Sequence, residues 1–86
     1  MKDFHYSSQF QKQYKRLPQA VKKKLNRQLK LLLTDYRHGS LASKKMTNQK
    51  NIWEARIDKH HRFTFTLAGE QIILRAVGTH EIYRNP

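Results

Sequence analysis

The sequence has no cysteine, few glycines and prolines, and few acidic residues. Without cysteine the chain can form no disulfide, offer no thiol nucleophile and hold no zinc through thiolates, which suits a reducing compartment. It also lacks an apolar run of the ~18 residues that a transmembrane helix needs. Its first residues lack the apolar stretch of a secretory signal. These absences predict a soluble, cytoplasmic protein that does not insert into a membrane.

The chain is short and shows no internal repeat and no linker rich in proline or glycine. At 86 residues it is far below the length at which chains divide into domains. We therefore expect one domain over residues 1–86. Such a small domain has a small core, so a bound partner can contribute much of its stability.

Positive charge is concentrated in the first part of the chain. Residues 1–50 carry 13 basic and 2 acidic side chains, whereas residues 51–86 carry 5 and 4. The densest group has no acidic residue among its members, which are Lys22, Lys23, Lys24, Arg27 and Lys30. A field this positive favours a polyanionic partner such as nucleic acid or an acidic protein.

The first half has the apolar spacing of two helices. Phe10, Tyr14 and Leu17 follow a possible cap at residues 7–8, and Pro18 separates them from a second apolar stripe. That stripe runs from Val21 to Tyr36, before a helix end at residues 38–39. Residues 4–6 can form a short first strand. This half therefore predicts a helical hairpin with one apolar and one basic face.

The second half alternates with the period of β-strands over residues 53–57, 63–67 and 72–76. We expect an antiparallel sheet, and hence an α+β fold in which the helical hairpin packs on it. A turn centred on His60 sets Arg56 opposite Thr64, and a turn at residues 69–70 sets Arg75 beside Thr64. With this register Arg56, Arg62 and Arg75 share the sheet face away from the core, a plausible phosphate-binding surface.

The segment of residues 77–83 (VGTHEIY) holds the residues best suited to chemistry. Gly78 permits a change of direction that carries His80 and Tyr83 towards the arginine face. Imidazole transfers protons near neutral pH. No spacing of His, Asp and Glu completes a metal site, and no phosphate-binding glycine loop is present. These residues predict RNA cleavage through the 2′-hydroxyl, without metal or other cofactor.

Several segments together resemble the RelE/ParE superfamily of toxins from toxin–antitoxin systems. They are residues 41–46 (LASKKM), 52–57 (IWEARI), 61–65 (HRFTF) and 77–83 (VGTHEIY), after a basic helical hairpin. The resemblance covers essentially the whole chain and is strongest in the strand pair and the last segment. It implies two helices on an antiparallel sheet. A terminal histidine places the chain nearer the YafQ- and YoeB-like branches than RelE itself.

The resemblance also implies roles for individual residues. Arg62 corresponds to the arginine that holds the scissile phosphate, and Arg56 is its companion. His80 takes the place of the general acid or base, and Tyr83 that of the aromatic residue that orients a nucleotide base. Candidates for the remaining proton-transfer role are Glu81 and Glu54. The complete set of expected RNA-binding residues is Arg56, Arg75, Lys44, Lys45, Lys22, Lys23 and Arg27.

The implied function is that of a ribosome-dependent endonuclease that cuts messenger RNA in the A site of the 30S subunit, in contact with ribosomal RNA. The implied protein partner is an acidic antitoxin. The alternative is a ParE-like inhibitor of DNA gyrase without nuclease activity, because one fold serves both activities. A third possibility is a basic binding module that has lost its chemistry. A titratable His80 beside the arginines favours the nuclease.

Overall fold

The computed structural model describes residues 3–47 and 50–86, which form two α-helices packed on a five-stranded mixed sheet. The fold class is α+β, as predicted. In chain order the elements are β1 (Asp3–Tyr6), α1 (Ser8–Lys15), α2 (Gln19–Thr34), a 3-10 turn (Gly39–Leu41), β2 (Lys44–Lys45), β3 (Trp53–Arg56), β4 (Arg62–Ala68), β5 (Gln71–Gly78) and a closing 3-10 helix (His80–Arg84).

Both helices begin at residues suited to a helix start. The Ser7 hydroxyl caps α1 by accepting a hydrogen bond from the Phe10 N–H at 3.0 Å. Pro18 lies immediately before α2, where its fixed φ and missing N–H are tolerated. The apolar residues of α2 recur at helical spacing, and its buried positions are Val21, Leu25, Leu29 and Leu32. The predicted hairpin is thus confirmed.

The second helix ends at Thr34, before the predicted end at residues 38–39. Asp35 has extended φ and ψ angles of −158° and 95°. Its carboxylate accepts a hydrogen bond from the Arg37 N–H at 3.0 Å. An Asp side chain that binds the backbone two residues further on competes with helical hydrogen bonding. The predicted apolar stripe therefore extends beyond the end of α2, and its last residue, Tyr36, lies in the turn that follows the helix.

The strand order is β1-β5-β4-β3-β2, so β1 and β2 form the edges. The predicted antiparallel pairing holds for β3, β4 and β5. The short β2, which was not predicted, pairs antiparallel with β3, and β1 runs parallel to β5 with Phe4 opposite Ile72. The sheet is therefore mixed and not wholly antiparallel. Parallel strands need a crossover connection, and α1 and α2 lie in the connection that leaves β1.

The β4–β5 hairpin pairs as predicted next to its turn. Leu67 lies opposite Ile72, and Phe65 lies opposite Leu74. Gly69 in the turn has a φ of 60°, which glycine adopts without strain. The four paired residues are apolar and face the helices, and Phe65, Ile72 and Leu74 are fully buried. The register predicted from a two-residue turn is therefore correct for this part of the hairpin.

Beyond these pairs the ladder shifts by one residue, and the predicted position of Arg75 is wrong. Thr64 lies opposite Ala76 and not beside Arg75. Such a bulge leaves one strand with an extra residue and reverses the facing of the residues that follow. Val77 consequently belongs to the core on the helix side, although simple alternation placed it outside.

The β3–β4 hairpin is also offset from the prediction, by two residues. Arg56 lies opposite Arg62 and not opposite Thr64. The turn closes earlier than expected, because the Ile57 N–H donates to the His61 carbonyl at 3.0 Å. A two-residue offset keeps every side chain on its predicted face. The two arginines are therefore cross-strand neighbours on the face away from the helices.

The core lies between the helices and one face of the sheet, and aromatic rings form much of it. Trp53 stacks on Phe65 with 6.1 Å between ring centroids. Phe63 and Phe10 are both almost fully buried. The other core residues are Val21, Leu25, Leu29, Leu32, Leu41, Ala55, Ile57, Ile72, Leu74 and Val77. This packing leaves the opposite sheet face to the closing 3-10 helix.

The closing 3-10 helix is fixed to the rest of the fold by apolar and polar contacts. Ile82 is only 1% exposed and anchors it. The Gln9 side chain donates to the Asn85 carbonyl at 2.9 Å and accepts from the Asn85 amide at 3.0 Å. Arg75 Nε donates to the Pro86 carbonyl at 3.0 Å. The residues that follow β5 are thereby held in one position.

Replacing Gly78 by alanine is expected to destabilise the fold by about 1–3 kcal/mol, because it overpacks this junction. A Cβ at Gly78 would lie 2.7 Å from Glu81 Oε1 and 3.2 Å from Ile82 Cγ2. The Glu81 side chain can rotate away, whereas Ile82 is buried. Gly39→Ala is the control, because nothing lies within 4 Å of its Cβ position. Denaturant unfolding measures both variants, and equal stabilities would contradict the prediction.

Candidate active site

Three of the predicted catalytic residues converge on one cleft. The cleft has a volume of about 380 Å³ and is lined by Lys59, His60, Arg62, Thr79, His80 and Tyr83. We call it the His80 cleft. The rings of His80 and Tyr83 lie 6.2 Å apart between centroids, and both side chains are exposed. Arg62 comes from β4, so the closing 3-10 helix and the sheet build the cleft together.

The β3–β4 turn positions Arg62. Its Nη1 donates to the carbonyls of Asp58 and His61, the latter at 2.9 Å. The Asp58 carboxylate in turn accepts the N–H groups of His60 and His61, each at 2.9 Å, and lies 3.0 Å from His61 Nδ1. These hydrogen bonds fix the Arg62 side chain against the β3–β4 turn, and its guanidinium forms part of the wall of the cleft.

The Asp58 carboxylate has a lowered pKa. Partial burial acts to raise the pKa, but the hydrogen bonds from His60 and His61, together with the charge of the His61 ring, outweigh it. The ionised carboxylate is thus the form that the folded turn stabilises.

Replacing Asp58 by asparagine should lower stability by on the order of 1 kcal/mol at neutral pH, because it removes the charge in these hydrogen bonds. Asparagine keeps an acceptor oxygen for the two backbone N–H groups. Since the folded pKa lies below the ordinary value of 3.8, the contribution of the charge is present above that value and lost as the pH falls through the folded pKa. Melting curves from neutral pH down to about pH 2 measure it. A difference that persists in acid would contradict this account.

Glu54 is the buried carboxylate nearest to the predicted site. It is only 8% exposed, although it lies on the sheet face away from the core. Lys44 Nζ lies 3.4 Å from Glu54 Oε1. Burial, the charge of Glu54 and hydrogen bonding to its carboxylate raise the pKa of Tyr83, and the charge of Arg62 opposes them. Tyr83 therefore remains a protonated phenol between an acidic and a basic side chain.

Tyr83 also lines a second cleft, so its side chain is shared by two neighbouring clefts. This cleft has a volume of about 320 Å³ and is lined by Lys44, Lys45, Met46, Thr47, Glu54 and Tyr83. We call it the Lys44 cleft. The predicted lysines 44 and 45 therefore lie close to the predicted catalytic residues. Together the two clefts form a surface with cationic side chains on both sides of one tyrosine.

The structure places Glu81 away from the His80 cleft. Its carboxylate accepts hydrogen bonds from the Thr79 hydroxyl and, at 3.4 Å, from the Thr79 N–H. The Thr79 hydroxyl chiefly lowers the pKa of Glu81. Glu81 lines a third cleft that it shares with Arg16 and His61. Although it is adjacent to His80 in sequence, it projects to another side of the closing 3-10 helix.

The seven predicted RNA-binding residues do not share one surface, and two of them, Lys44 and Lys45, line the Lys44 cleft. Arg56 is exposed beside Arg62. Arg75 is half-buried, with Nη1 3.5 Å from Thr66 Oγ1, and it does not line the His80 cleft. The remaining three belong to α2, on the opposite side of the sheet: Lys22, Lys23 and Arg27. Lys22 Nζ lies 5.3 Å from the centroid of the Tyr14 ring.

Three residues that line the His80 cleft, Lys59, His60 and Thr79, were not predicted from the sequence. Lys59 and His60 lie in the turn before Arg62 and add two basic groups to its rim. The signal available in the sequence was that both residues shortly precede Arg62, an arginine of the predicted phosphate-binding surface. The sequence had placed His60 only at the centre of a turn.

No helix within residues 3–47 and 50–86 is long and apolar enough to cross a membrane. In the same described residues, no three His, Asp or Glu side chains are grouped as they would be to hold a metal ion.

Solved structures share this fold, although no protein-family model and no curated protein matches the sequence. YafQ from E. coli BL21(DE3) is 19% identical, with a TM-score of 0.78 over 96% of this chain and 98% of YafQ. YoeB from Staphylococcus aureus, solved as a dimer, is 23% identical, with a TM-score of 0.80 over 92% and 97%. A chain of the RelB–RelE antitoxin–toxin complex from Methanococcus jannaschii is 21% identical, with a TM-score of 0.76 over 94% and 98%. The chain therefore has the fold of the RelE/ParE toxins and resembles YafQ and YoeB.

Proposed function

We propose that this protein is the toxin of a type II toxin–antitoxin system and cleaves messenger RNA on the ribosome. The observation that carries the proposal is the His80 cleft, where an imidazole, a guanidinium and a phenol meet beside the buried Glu54. The similarity to YafQ, YoeB and RelE–RelB structures supports the toxin role. A target on the ribosome implies that the protein acts in the cytoplasm.

The proposed reaction is an attack by the ribose 2′-hydroxyl on the adjacent phosphorus. Glu54 removes the proton from the 2′-oxygen, which forms the new bond to phosphorus. The bond from phosphorus to the 5′-oxygen breaks, and His80 supplies the proton that this leaving group needs. The products are a 2′,3′-cyclic phosphate and a 5′-hydroxyl. The substrate supplies its own nucleophile, so proton transfer and charge stabilisation suffice.

The arrangement of the side chains supports these assignments. In-line displacement needs the base and the acid on opposite sides of phosphorus, and Tyr83 neighbours both Glu54 and His80, its ring centroid lying 6.2 Å from that of His80. Arg62 and Lys45 flank the same tyrosine from the two clefts and are suited to stabilise the negative charge on the phosphoryl oxygens. Glu81 faces another cleft, so we assign it no proton transfer.

We further propose that an acidic antitoxin is the protein partner. The net charge of +12 favours an acidic, partly disordered segment that folds on binding. The RelB–RelE structure is an antitoxin–toxin complex, and YafQ has been solved in a toxin–antitoxin complex with DinJ. The affinity of such a complex should fall as salt rises.

Ribosomes programmed with a defined messenger RNA test the proposed reaction. The purified protein is added, and primer extension maps the new 5′ ends. Cuts at the A-site codon, absent without ribosomes, with a cyclic phosphate on the upstream fragment, would support the nuclease. Intact messenger RNA together with inhibited DNA supercoiling by gyrase would support the ParE-like alternative. The absence of both messenger RNA cleavage and gyrase inhibition would indicate a binding module without chemistry.

A further inference from the structure

The bulge in β5 is tied to the start of α1 by two side chains. Arg75 is the extra residue of the bulge and has no paired residue on β4. Its carbonyl accepts hydrogen bonds from the Ser7 hydroxyl at 2.8 Å and from the Gln9 side-chain nitrogen at 3.1 Å. A bulge disrupts the ladder locally, so backbone groups there need partners from elsewhere. The first turn of α1 therefore holds the irregular part of β5.

Gln9 joins the same bulge to the residues that follow the closing 3-10 helix. Its side-chain nitrogen also donates to the Asn85 carbonyl at 2.9 Å, and its side-chain oxygen accepts from the Asn85 side-chain amide at 3.0 Å. Arg75 adds a second link, because its Nε donates at 3.0 Å to the carbonyl of Pro86, which is buried. We call the contacts among Gln9, Arg75, Asn85 and Pro86 the Gln9 clasp.

The Gln9 clasp bears on the His80 cleft because the closing 3-10 helix is short. A 3-10 helix has poorer hydrogen-bond geometry than an α-helix, so five residues of it contribute little stability of their own. The helix carries His80 and Tyr83, whose side chains are both exposed. Their direction therefore depends on how the backbone of the helix is held. Ile82 anchors the helix by burial, and the clasp fixes the residues beyond its end.

The two halves of the His80 cleft are held by different parts of the fold. Arg62 is fixed by the β3–β4 turn, whereas His80 and Tyr83 are fixed through the closing 3-10 helix. We propose that Gln9 and Arg75 are positioning residues, which hold His80 and Tyr83 in the place relative to Arg62 that cleavage needs. Arg75 thereby takes a different role from the RNA contact expected from the sequence. This inference rests on the proposed function in taking RNA cleavage as the reaction.

Gln9→Ala tests the proposal, and Gln11→Ala is the matched control. Gln11 lies on the same helix, and its side-chain nitrogen donates to the Tyr6 carbonyl at 3.0 Å, away from the clasp. Cleavage is measured in single turnover over a series of concentrations of programmed ribosomes. Gln9→Ala should lower the saturated rate by about 10-fold or more and leave the half-saturating concentration unchanged, because displaced catalytic groups slow the chemical step. Equal saturated rates for the two variants would overturn the proposal.

Gln9→Glu separates the hydrogen bonds of Gln9 from the space that its side chain fills. At neutral pH glutamate keeps the length of the side chain and an acceptor for the Asn85 amide, but it cannot donate to the carbonyls of Arg75 and Asn85. We expect this variant to cleave as slowly as Gln9→Ala. A saturated rate equal to that of the unchanged protein would show that the donor is not needed, and the proposal would be wrong.

Arg75→Gln separates positioning from contact with RNA. Loss of one phosphate contact would lower the slope of log K against log salt for ribosome binding by about 0.7–0.9. A positioning residue leaves this slope unchanged and lowers the saturated cleavage rate when it is replaced. A slope reduced by one contact's share would return Arg75 to the RNA-binding surface and overturn its assignment to the clasp.

Hydrogen exchange tests the Gln9 clasp without relying on cleavage. The N–H groups of Ile82 and Asn85 donate at 3.2 Å to the carbonyls of Thr79 and Ile82, respectively. In Gln9→Ala the exchange of these two groups should quicken by about 10-fold more than that of the α2 amides. Equal quickening throughout the chain would indicate a general loss of stability and contradict the proposal. If the unchanged protein cut no RNA, the local quickening would still support the clasp while contradicting the proposed nuclease.

Discussion

Replacing His80 by asparagine is expected to slow RNA cleavage by about 10²–10⁴-fold, because the 5′-oxygen would leave without a positioned proton donor. Folding should be unaffected, since the His80 side chain is exposed and makes no hydrogen bond that would be lost in the described structure. Single-turnover cleavage on saturating ribosomes measures the effect on chemistry, and thermal unfolding measures stability.

The matched control is His5→Asn, which removes an exposed histidine from β1, away from both clefts. It should cleave at the unchanged rate. Full cleavage by the His80 variant would show that another group protonates the leaving oxygen. His60 would then be the next residue to replace, because its side chain lines the same cleft.

Replacing Arg62 by alanine should lower the cleavage rate by about 10²–10³-fold, the usual effect of removing one preorganised donor to a developing anion. Arg62→Lys should recover part of the rate, because it keeps the charge and loses the forked geometry. Arg62 also binds two turn carbonyls, so its alanine variant will lose some stability as well. Rates are therefore compared well below the melting temperature of the variant.

Arg84→Ala is the control for Arg62, because it removes an exposed cation from the closing 3-10 helix without touching the His80 cleft. It should leave the saturated rate unchanged. If both arginine variants slowed cleavage equally, the effect would come from the general positive field and not from a guanidinium on the phosphate. The location of Arg62 in the His80 cleft would then make no specific contribution to cleavage.

Sequence periodicity was sufficient for both helices, for strands β3, β4 and β5, for the core and for part of the register, but not for β2 or the closing 3-10 helix. The apolar spacing of α2 and the alternation of β4 and β5 each follow from local side-chain direction. The pairs of Leu67 with Ile72 and of Phe65 with Leu74 follow from a two-residue turn. Because β3 slipped by an even number of residues, Arg56 and Arg62 kept their predicted face.

Details that depend on single hydrogen bonds or on distant chain segments could not be predicted. Nothing in the alternation of β5 marks the bulge at Arg75, because bulged and regular strands can share one pattern. The early turn depends on the Ile57 N–H reaching the His61 carbonyl. The parallel pairing of β1 joins opposite ends of the domain, which local patterns do not report.

The same limit applies to the candidate site, where some contacts between residues distant in sequence could not be predicted. His80, Arg62 and Tyr83 were predicted together, and the structure brings them together. Glu81 was predicted as a catalytic residue, with Glu54 as a further candidate, but neighbours on a 3-10 helix project in different directions. Glu54 reaches Tyr83 only through the pairing of β3 with the central strands, so sequence distance concealed the contact.

The parallel pairing of β1 with β5 has a consequence for how the protein is made. A growing chain emerges with β1 first, but its only described strand partner is β5, and the cleft residues after β5 come later still. Non-local pairing of this kind forms slowly. We therefore expect a growing chain to lack the proposed cleavage chemistry until β5 and the closing 3-10 helix have left the ribosome.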